Sequence, residues 1–134
     1  MMNLQRMIKA AEWMLKIHET GDKFDLSQWK KPDDSNTTYS SMHKCGTSAC
    51  FGGWLAVSPD FKKEGGEADI GGCPIFDNHE GYEALNSYFG FDEISNLADP
   101  WQAFVVYGKS SIYVTALDVA EKLLELVKAE VENG

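Results

Sequence analysis

The sequence predicts a mainly α-helical protein that folds as a single compact domain over residues 1–134. It places a long helix at each end and a glycine-rich loop in the centre, over residues 64–81. Apolar residues recur every three or four positions near both ends, which is the period of an amphipathic helix. The chain is 43% hydrophobic and 25% charged, as in ordinary folded proteins. A length of 134 residues suits one domain, and neither an internal repeat nor a linker divides it.

The first predicted helix carries an apolar stripe and ends at Gly21, where a glycine in the left-handed conformation would cap it. His18 falls on or beside this stripe, and we expect it to be a packed histidine with one hydrogen bond rather than a ligand. The residues of the predicted stripe are Leu4, Met7, Ile8, Ala11, Met14, Leu15 and His18.

A short turn and a polar segment follow. Phe24, Leu26 and Trp29 are expected to anchor the turn on the core. The run over residues 32–41 is rich in turn formers and predicts an exposed loop.

The loop leads into "HKCGTSACFGGW", residues 43–54. Thr47 is predicted to cap a helix that begins after it and ends before Pro59. The adjacent glycines 52 and 53 are costly in a helix, which favours close approach by another element. The residues expected on one face of this helix are Cys50, Gly53, Trp54 and Val57. Residues 61–81 contain too many glycines for a regular element, so an ordered loop is the most that we expect there.

The second half of the chain is predicted to be helical again. One helix ends at Gly90, a second runs from Phe91 to the residue before Pro100, and residues 101–108 suit a strand or a buried helical turn equally. Thr115 and Asp118 resemble a capping box at the start of the last helix. The inward residues of the first two helices are Tyr82, Leu85 and Phe89, then Phe91, Ile94 and Leu97. The stripe of the last helix is Ala116, Val119, Ala120, Leu123, Val127 and Val131.

Charge and cysteine content limit the classes of function. The net charge is −9, and Arg6 is the only arginine, which argues against direct nucleic-acid binding. The acidity either keeps the protein soluble or forms a surface that imitates DNA and occupies a DNA-binding enzyme. No apolar run is long enough for a membrane span, and the charged N-terminal segment is not a signal peptide. An odd number of cysteines, three, favours reduced thiols and a cytoplasmic location.

One chemistry that the central segment could support is anion or nucleotide binding on the amides of a helix start. The spacing is not that of a P-loop, so the cradle would be a generic one. The candidate ligand-binding residues are His43, Lys44, Gly46, Thr47, Ser48, Ala49, Cys50 and Trp54.

Two other chemistries remain open. In a thiol enzyme Cys45 would be the nucleophile and His43 its base, with an oxyanion hole made by the amides of residues 47–49, but no third orienting group is visible. A zinc site would use His43, Cys45, Cys50 and Cys73, with His79 to spare, and the ligand spacing fits zinc poorly. We therefore expect no catalysis, no metal and no cofactor.

The aromatic content favours a role in binding another protein. Trp29, Trp101, Tyr107 and Tyr113 are of the residue types that anchor protein interfaces. A non-catalytic binding protein is therefore our first hypothesis, ahead of the anion binder and the thiol enzyme.

The central motif also resembles one found in small uncharacterised bacterial and phage proteins. Its residues here are Cys45, Gly46, Thr47, Cys50, Gly53 and Trp54. The resemblance extends to "FDL…W" (Phe24 to Trp29) and to an "FG" helix, a "PW" element and a "VT…DV" helix downstream. It implies a phage or mobile-element origin but no activity and no catalytic residue. Together with the first hypothesis, it predicts a protein that docks on a host protein in the host cytoplasm and inhibits or modulates it.

Overall fold

Two long helices, α1 (Leu4–Thr20) and α7 (Ala116–Asn133), pack against each other and frame the structure. The computed structural model describes residues 2–26, 38–69, 71–91, 97 and 100–133. Between the long helices lie α2 (Tyr39–Cys45), α3 (Phe51–Ala56), α4 (Pro59–Lys63), α5 (Tyr82–Phe89) and α6 (Ala103–Tyr107). The strands are β1 (Lys23–Phe24), β2 (Ser48–Ala49), β3 (Glu67–Ala68), β4 (Pro74–Phe76) and β5 (His79–Glu80). The prediction of a mainly α protein with a long helix at each end is confirmed.

Helix α1 is capped at both ends, and the cap at its C-terminal end is the predicted Gly21. The Asn3 side chain accepts a hydrogen bond from the Arg6 amide at 3.1 Å, and Gly21 caps the other end with φ of 76°. The face that it buries is rotated from the predicted stripe, because Trp13 and Ile17 turn inward. The prediction of a packed His18 is wrong, since this residue is exposed, and Leu4, Ile8 and Leu15 are only partly buried. The buried residues are Met7, Ala10, Ala11, Trp13, Met14 and Ile17.

The next segment differs from its predicted form. The loop predicted over 32–41 gives way to helix α2, which Thr38 caps by accepting the Ser41 amide at 3.3 Å. Leu26 is buried and Phe24 packs on the core, as expected. Trp29 and residues 32–37 lie outside the described part of the chain.

Thr47 does not cap a helix, which corrects the prediction. Residues 48 and 49 form β2, which pairs in parallel with β1 through Lys23↔Ser48 and Phe24↔Ala49. This long-range pairing holds the backbone extended and delays the helix by three residues. Cys50 is the cap of α3, and its Sγ accepts the Gly53 amide at 3.4 Å. All six residues of α3 are buried, glycines 52 and 53 among them.

The helix ends before Pro59, as predicted, and Pro59 then starts another helix. Ser58 caps α4, and the proline occupies its first turn, where its missing N–H costs nothing. The segment over residues 61–81, expected to hold no regular element, contains the end of α4 and the antiparallel sheet β3-β4-β5. Asp77 and Asn78 turn between β4 and β5 with φ of 52° and 66°. These residue types tolerate the left-handed region, which explains the tight turn.

The second half follows the prediction more closely. Helix α5 ends at Gly90 with φ of 75°, as expected. The helix predicted from Phe91 lies outside the described residues except for Phe91 and Leu97. Residues 101–108, which suited strand or helix equally, are helical: a 3₁₀ turn over Pro100–Gln102 leads into α6. A second 3₁₀ turn covers Ser111–Tyr113.

The capping box of α7 is confirmed. The Thr115 amide donates to Asp118 Oδ2 at 2.9 Å, and the Asp118 amide donates to Thr115 Oγ1 at 3.2 Å. Ala116, Val119, Ala120 and Leu123 are buried as predicted. Val131 is 64% exposed, which contradicts the predicted stripe, because the end of α7 extends past the core.

The core joins α1, α3, α5 and α7 through one cluster of buried side chains. Its largest fully buried members are Trp54, Tyr88, Phe51, Phe61 and Phe89. Among the described residues no helix has the length and apolar character needed to cross a membrane.

Candidate functional site

The central segment contributes one histidine to a hydrogen-bonded cluster at the end of α1. Helix α2 places His43 beside the turn that follows Gly21, where its Nδ1 lies 2.5 Å from Oδ1 of Asp22. The two side chains differ in exposure, because 48% of His43 is open to solvent and only 3% of Asp22 is. An exposed imidazole is therefore held through one nitrogen by a buried carboxylate.

Two further side chains fix Asp22. The hydroxyls of Thr20 and Tyr39 donate to Asp22 Oδ2 at 2.6 Å and 2.9 Å. Burial by itself raises the pKa of Asp22, but the hydrogen bonds from Thr20, His43 and Tyr39 outweigh it and hold the pKa below its usual value. Asp22 is thus ionised at neutral pH and is purely an acceptor. In neutral His43 the proton then resides on Nδ1, which leaves the lone pair on Nε2.

Aromatic rings pack against the pair, and two lysines lie near those rings and near the end of α2. The Tyr39 ring stacks on His43 with the centroids 5.6 Å apart and meets the edge of Trp13 at 5.0 Å. Lys16 Nζ lies 5.3 Å from the ring centres of both Trp13 and Tyr39. Lys23 Nζ approaches the turn after His43 and would lie 3.7 Å from a Cβ placed on Gly46. We name His43, Asp22, Tyr39 and Thr20 the His43 cluster.

The structure changes the local setting of the predicted anion cradle. Thr47 is 1% exposed, and its amide donates to the Met42 carbonyl at 3.0 Å, so that amide is already used. Ala49, Cys50 and Trp54 are buried, and Ser48 belongs to β2. Gly46 is the left-handed cap of α2, and its amide donates to the His43 carbonyl. No helix begins at residues 47–49, so the expected row of free amides for an anion or an oxyanion is not formed there.

The thiol arrangement also differs from the expected one. Cys45 is the last residue of α2 and does not precede a helix N-terminus, so the dipole argument for an activated thiol is wrong. Positions 43 and 45 are two apart in that helix, a spacing at which neighbours do not face each other. The side chains of Lys44 and Cys45 lie outside the described part of the structure.

The other predicted metal ligands are a buried thiol, a half-buried thiol and an exposed histidine. Cys50 is 2% exposed, and burial raises the pKa of its thiol to about 12. Burial, with Asp69 nearby, raises the pKa of Cys73 to about 11. His79 lies on the sheet surface with its Nδ1 3.7 Å from Glu83 Oε2. Within the described ranges no three histidine, cysteine, aspartate or glutamate side chains are grouped to hold a metal ion.

Asp22, Thr20 and Tyr39 are the residues that sequence reasoning missed. They supply the orienting group that the sequence did not reveal beside His43. Asp22 and His43 are 21 positions apart, and a polar residue after a glycine cap carries no local signal of such a partner.

A second feature is an apolar surface on the segment between residues 100 and 113, which we name the 100–113 surface. Five large apolar side chains there are open to solvent: Trp101 (91%), Phe104 (73%), Val105 (80%), Ile112 (65%) and Tyr113 (67%). Of the aromatic residues expected to anchor an interface, Trp101 and Tyr113 lie on this surface, Tyr107 is partly buried, and Trp29 is outside the described residues.

Internal contacts hold the 100–113 surface in place. Ala103 is buried in the core, and the Tyr107 hydroxyl donates to the Leu97 carbonyl at 2.8 Å. Lys109 pairs with Asp118 at 2.8 Å and ties the segment to the first turn of α7. The exposed side chains therefore project from an anchored backbone.

Comparison of the chain with family models, curated proteins and solved structures finds no match.

Proposed function

We propose that this protein is a non-catalytic binding protein that docks on another protein through the 100–113 surface. The observation that supports the proposal is the exposure of Trp101, Phe104, Val105, Ile112 and Tyr113, at 65–91% each, on one short segment. Single exposed apolar residues are common on soluble proteins, whereas several large ones on one segment are typical of an interaction site.

The residue types suit the centre of an interface. Tryptophan and tyrosine are enriched among the residues that carry most of the binding energy in protein complexes. Removing one large apolar side chain from water contributes roughly 1.5–3 kcal/mol. Because Ala103 and Tyr107 anchor the segment, little backbone order has to be gained on binding.

Charge favours a partner with a basic rim. The protein carries a net charge of −9, and the one lysine of the 100–113 surface, Lys109, is paired with Asp118. Two copies of this chain would repel each other, while an apolar cleft bordered by lysine or arginine would attract it. The occupant that we propose for the surface is therefore a protein with such a cleft.

The motif of residues 45–54 adds a biological setting to this proposal. Its resemblance to motifs in small phage and bacterial proteins supports a mobile-element origin and a cytoplasmic host protein as the partner. Occupation of a basic cleft would inhibit or modulate that partner, for example by excluding its own acidic ligand.

Matched surface variants test the proposal. Phe104→Ser removes a 73% exposed ring from the surface, and Val131→Ser removes a 64% exposed side chain at the far end of α7. Both positions are exposed, so the free energy of unfolding of each variant should lie within about 0.5 kcal/mol of that of the parent. Tagged parent and variants are used to capture proteins from a bacterial lysate, and the captured protein is then purified and titrated.

We expect Phe104→Ser to weaken binding of the purified partner by roughly 30-fold and Val131→Ser to leave it unchanged. Binding should also weaken as salt rises, and chemical cross-links should place the basic cleft against residues 100–113. The proposal is refuted if both variants bind the partner with equal affinity or if the cross-links lie outside residues 100–113. It is refuted as well if no partner is captured.

A further inference from the structure

We propose that His43 is a nucleophilic site that accepts a phosphoryl group on Nε2 from a small phosphoramidate or acyl phosphate. This activity is separate from docking, because it uses the His43 cluster and none of the residues of the 100–113 surface. The observation that carries it is an exposed imidazole whose Nδ1 is held by the buried carboxylate of Asp22.

The first step concerns the tautomer. Asp22 receives hydrogen bonds from Thr20 and Tyr39 as well as from His43, so it is fully engaged as an acceptor. The proton of the neutral imidazole is consequently fixed on Nδ1, and the Nε2 lone pair faces away from the carboxylate. Stacking on Tyr39 further restricts the ring. The imidazole is therefore oriented for attack before any substrate arrives.

The second step concerns charge in the product. Phosphoramidate near neutral pH carries its proton on nitrogen, as an ammonium group bound to phosphorus. Attack of Nε2 on phosphorus forms an N–P bond, while the P–N bond of the phosphoramidate breaks and its electron pair leaves with neutral ammonia. With an acyl phosphate the P–O bond breaks and a carboxylate leaves. The product ring carries both the Nδ1 proton and the phosphoryl group, so it is cationic, and the adjacent Asp22 carboxylate stabilises that charge.

The third step concerns the class of electrophile. Lys16 Nζ lies beside the same Tyr39 ring that stacks on His43, and Lys23 Nζ lies beside the turn at Gly46. An ammonium group on the aromatic ring that stacks on the nucleophile, and a second one beside the end of the same helix, favour an anionic group such as phosphoryl over a neutral ester.

The chain contains its own matched control in His79. The side chains of His43 and His79 are 48% and 47% exposed, so accessibility to a reagent is the same. The carboxylate near His79 belongs to Glu83, which is 77% exposed and lies 3.7 Å from Nδ1, beyond a hydrogen bond. A difference in reactivity between the two histidines therefore reports the surroundings of His43 rather than exposure, and Asp22→Asn and Lys16→Gln separate the carboxylate from the lysine.

The test is incubation of the intact protein with phosphoramidate near neutral pH, followed by peptide mass spectrometry under conditions that preserve phosphohistidine. We expect one phosphoryl group on Nε2 of His43, formed roughly tenfold faster than on His79, which is the usual scale for an orienting carboxylate. Asp22→Asn should remove most of this advantage, and Lys16→Gln should reduce the rate for phosphoramidate without changing that for the neutral reagent diethyl pyrocarbonate.

Equal rates at His43 and His79, faster reaction at His79, or no phosphohistidine at all would each overturn the proposal. Circular dichroism monitors the fold of Asp22→Asn. If that variant is unfolded, the comparison of the two histidines in the unmodified chain decides the question by itself, since it needs no substitution.

Discussion

The sheet and the core meet at Gly66, where a single added methyl group should be costly. The Gly66 amide donates to the Phe61 carbonyl at 2.8 Å, which brings the backbone over the Phe61 ring. A Cβ at this position would overlap Cδ2 and Cε2 of that ring and lie 2.6 Å from Cζ. Phe61 is fully buried and meets the edge of Tyr88 with the ring centres 4.8 Å apart, so it has no free space to move into. We expect Gly66→Ala to be strongly destabilising.

The magnitude follows from the packing. Overfilling a well-packed core costs about 1–3 kcal/mol, and the overlap with three ring atoms places this variant near about 3 kcal/mol. Urea denaturation followed by circular dichroism measures the free energy of unfolding. With a slope of roughly 2 kcal/mol per molar urea, the midpoint should fall by about 1.5 M.

A double-mutant cycle with Phe61→Leu identifies the cause. Shortening the ring should reduce the cost of Gly66→Ala by at least about 1 kcal/mol, because leucine lacks the Cε2 and Cζ atoms that the added methyl group would overlap. Gly65→Ala is the control: φ at Gly65 is +101°, and a Cβ there meets nothing within 4 Å. Its cost is backbone strain and should be the same in the parent and in the Phe61→Leu background. A Gly66→Ala variant as stable as the parent, or one whose cost is the same in both backgrounds, would refute the assigned contact.

Two further predictions concern the capping box and the buried thiol. Asp118→Asn should cost about 1 kcal/mol at pH 7, since it weakens the cap of α7 and the pair with Lys109. Burial raises the pKa of Asp118, but hydrogen bonds from Lys109 and Thr115 outweigh it, so the folded-state pKa lies below the unfolded one. The stabilisation by ionised Asp118 is then present above about pH 4 and is lost as the pH falls through the folded-state pKa. Urea denaturation at pH 7 and pH 3 should therefore show a smaller difference in unfolding free energy between the parent and Asp118→Asn at pH 3. A difference that does not depend on pH would contradict this reasoning. Cys50 is 2% exposed, and burial raises the pKa of its thiol to about 12. It should therefore resist alkylation by iodoacetamide at pH 8 and react once urea is added, as measured by peptide mass spectrometry. Rapid labelling in the folded protein would contradict this, because it would show that the thiol is accessible.

Features set by neighbours in sequence were predictable. The capping box joins Thr115 and Asp118, three residues apart, and Gly21 and Gly90 cap the helices that precede them. The turn at Asp77 and Asn78 carried a readable signal as well, because these two residue types tolerate positive φ between strands. The glycine content around it led instead to the expectation of a loop.

Features set by distant partners were not predictable. Thr47 has the side chain of a good helix cap, but the pairing of Ser48 with Lys23 keeps the backbone extended there. The helix therefore begins later, and its N-cap is Cys50, a residue type that rarely has this role. The link between Asp22 and His43 depends in the same way on how α2 packs beside the end of α1. Periodicity and capping preferences describe single elements and contain no information on which elements meet.

The pairing of α1 with α7 has a consequence for how the protein is made. Residues 4–20 leave the ribosome long before residues 116–133, the helix that covers their apolar face. Throughout that interval Met7, Met14 and Ile17 lack their final neighbours and offer an apolar strip to chaperones or to other nascent chains. The core therefore cannot be completed until α7 has been made, and a ribosome stalled before residue 116 would hold a chain that is vulnerable to proteolysis.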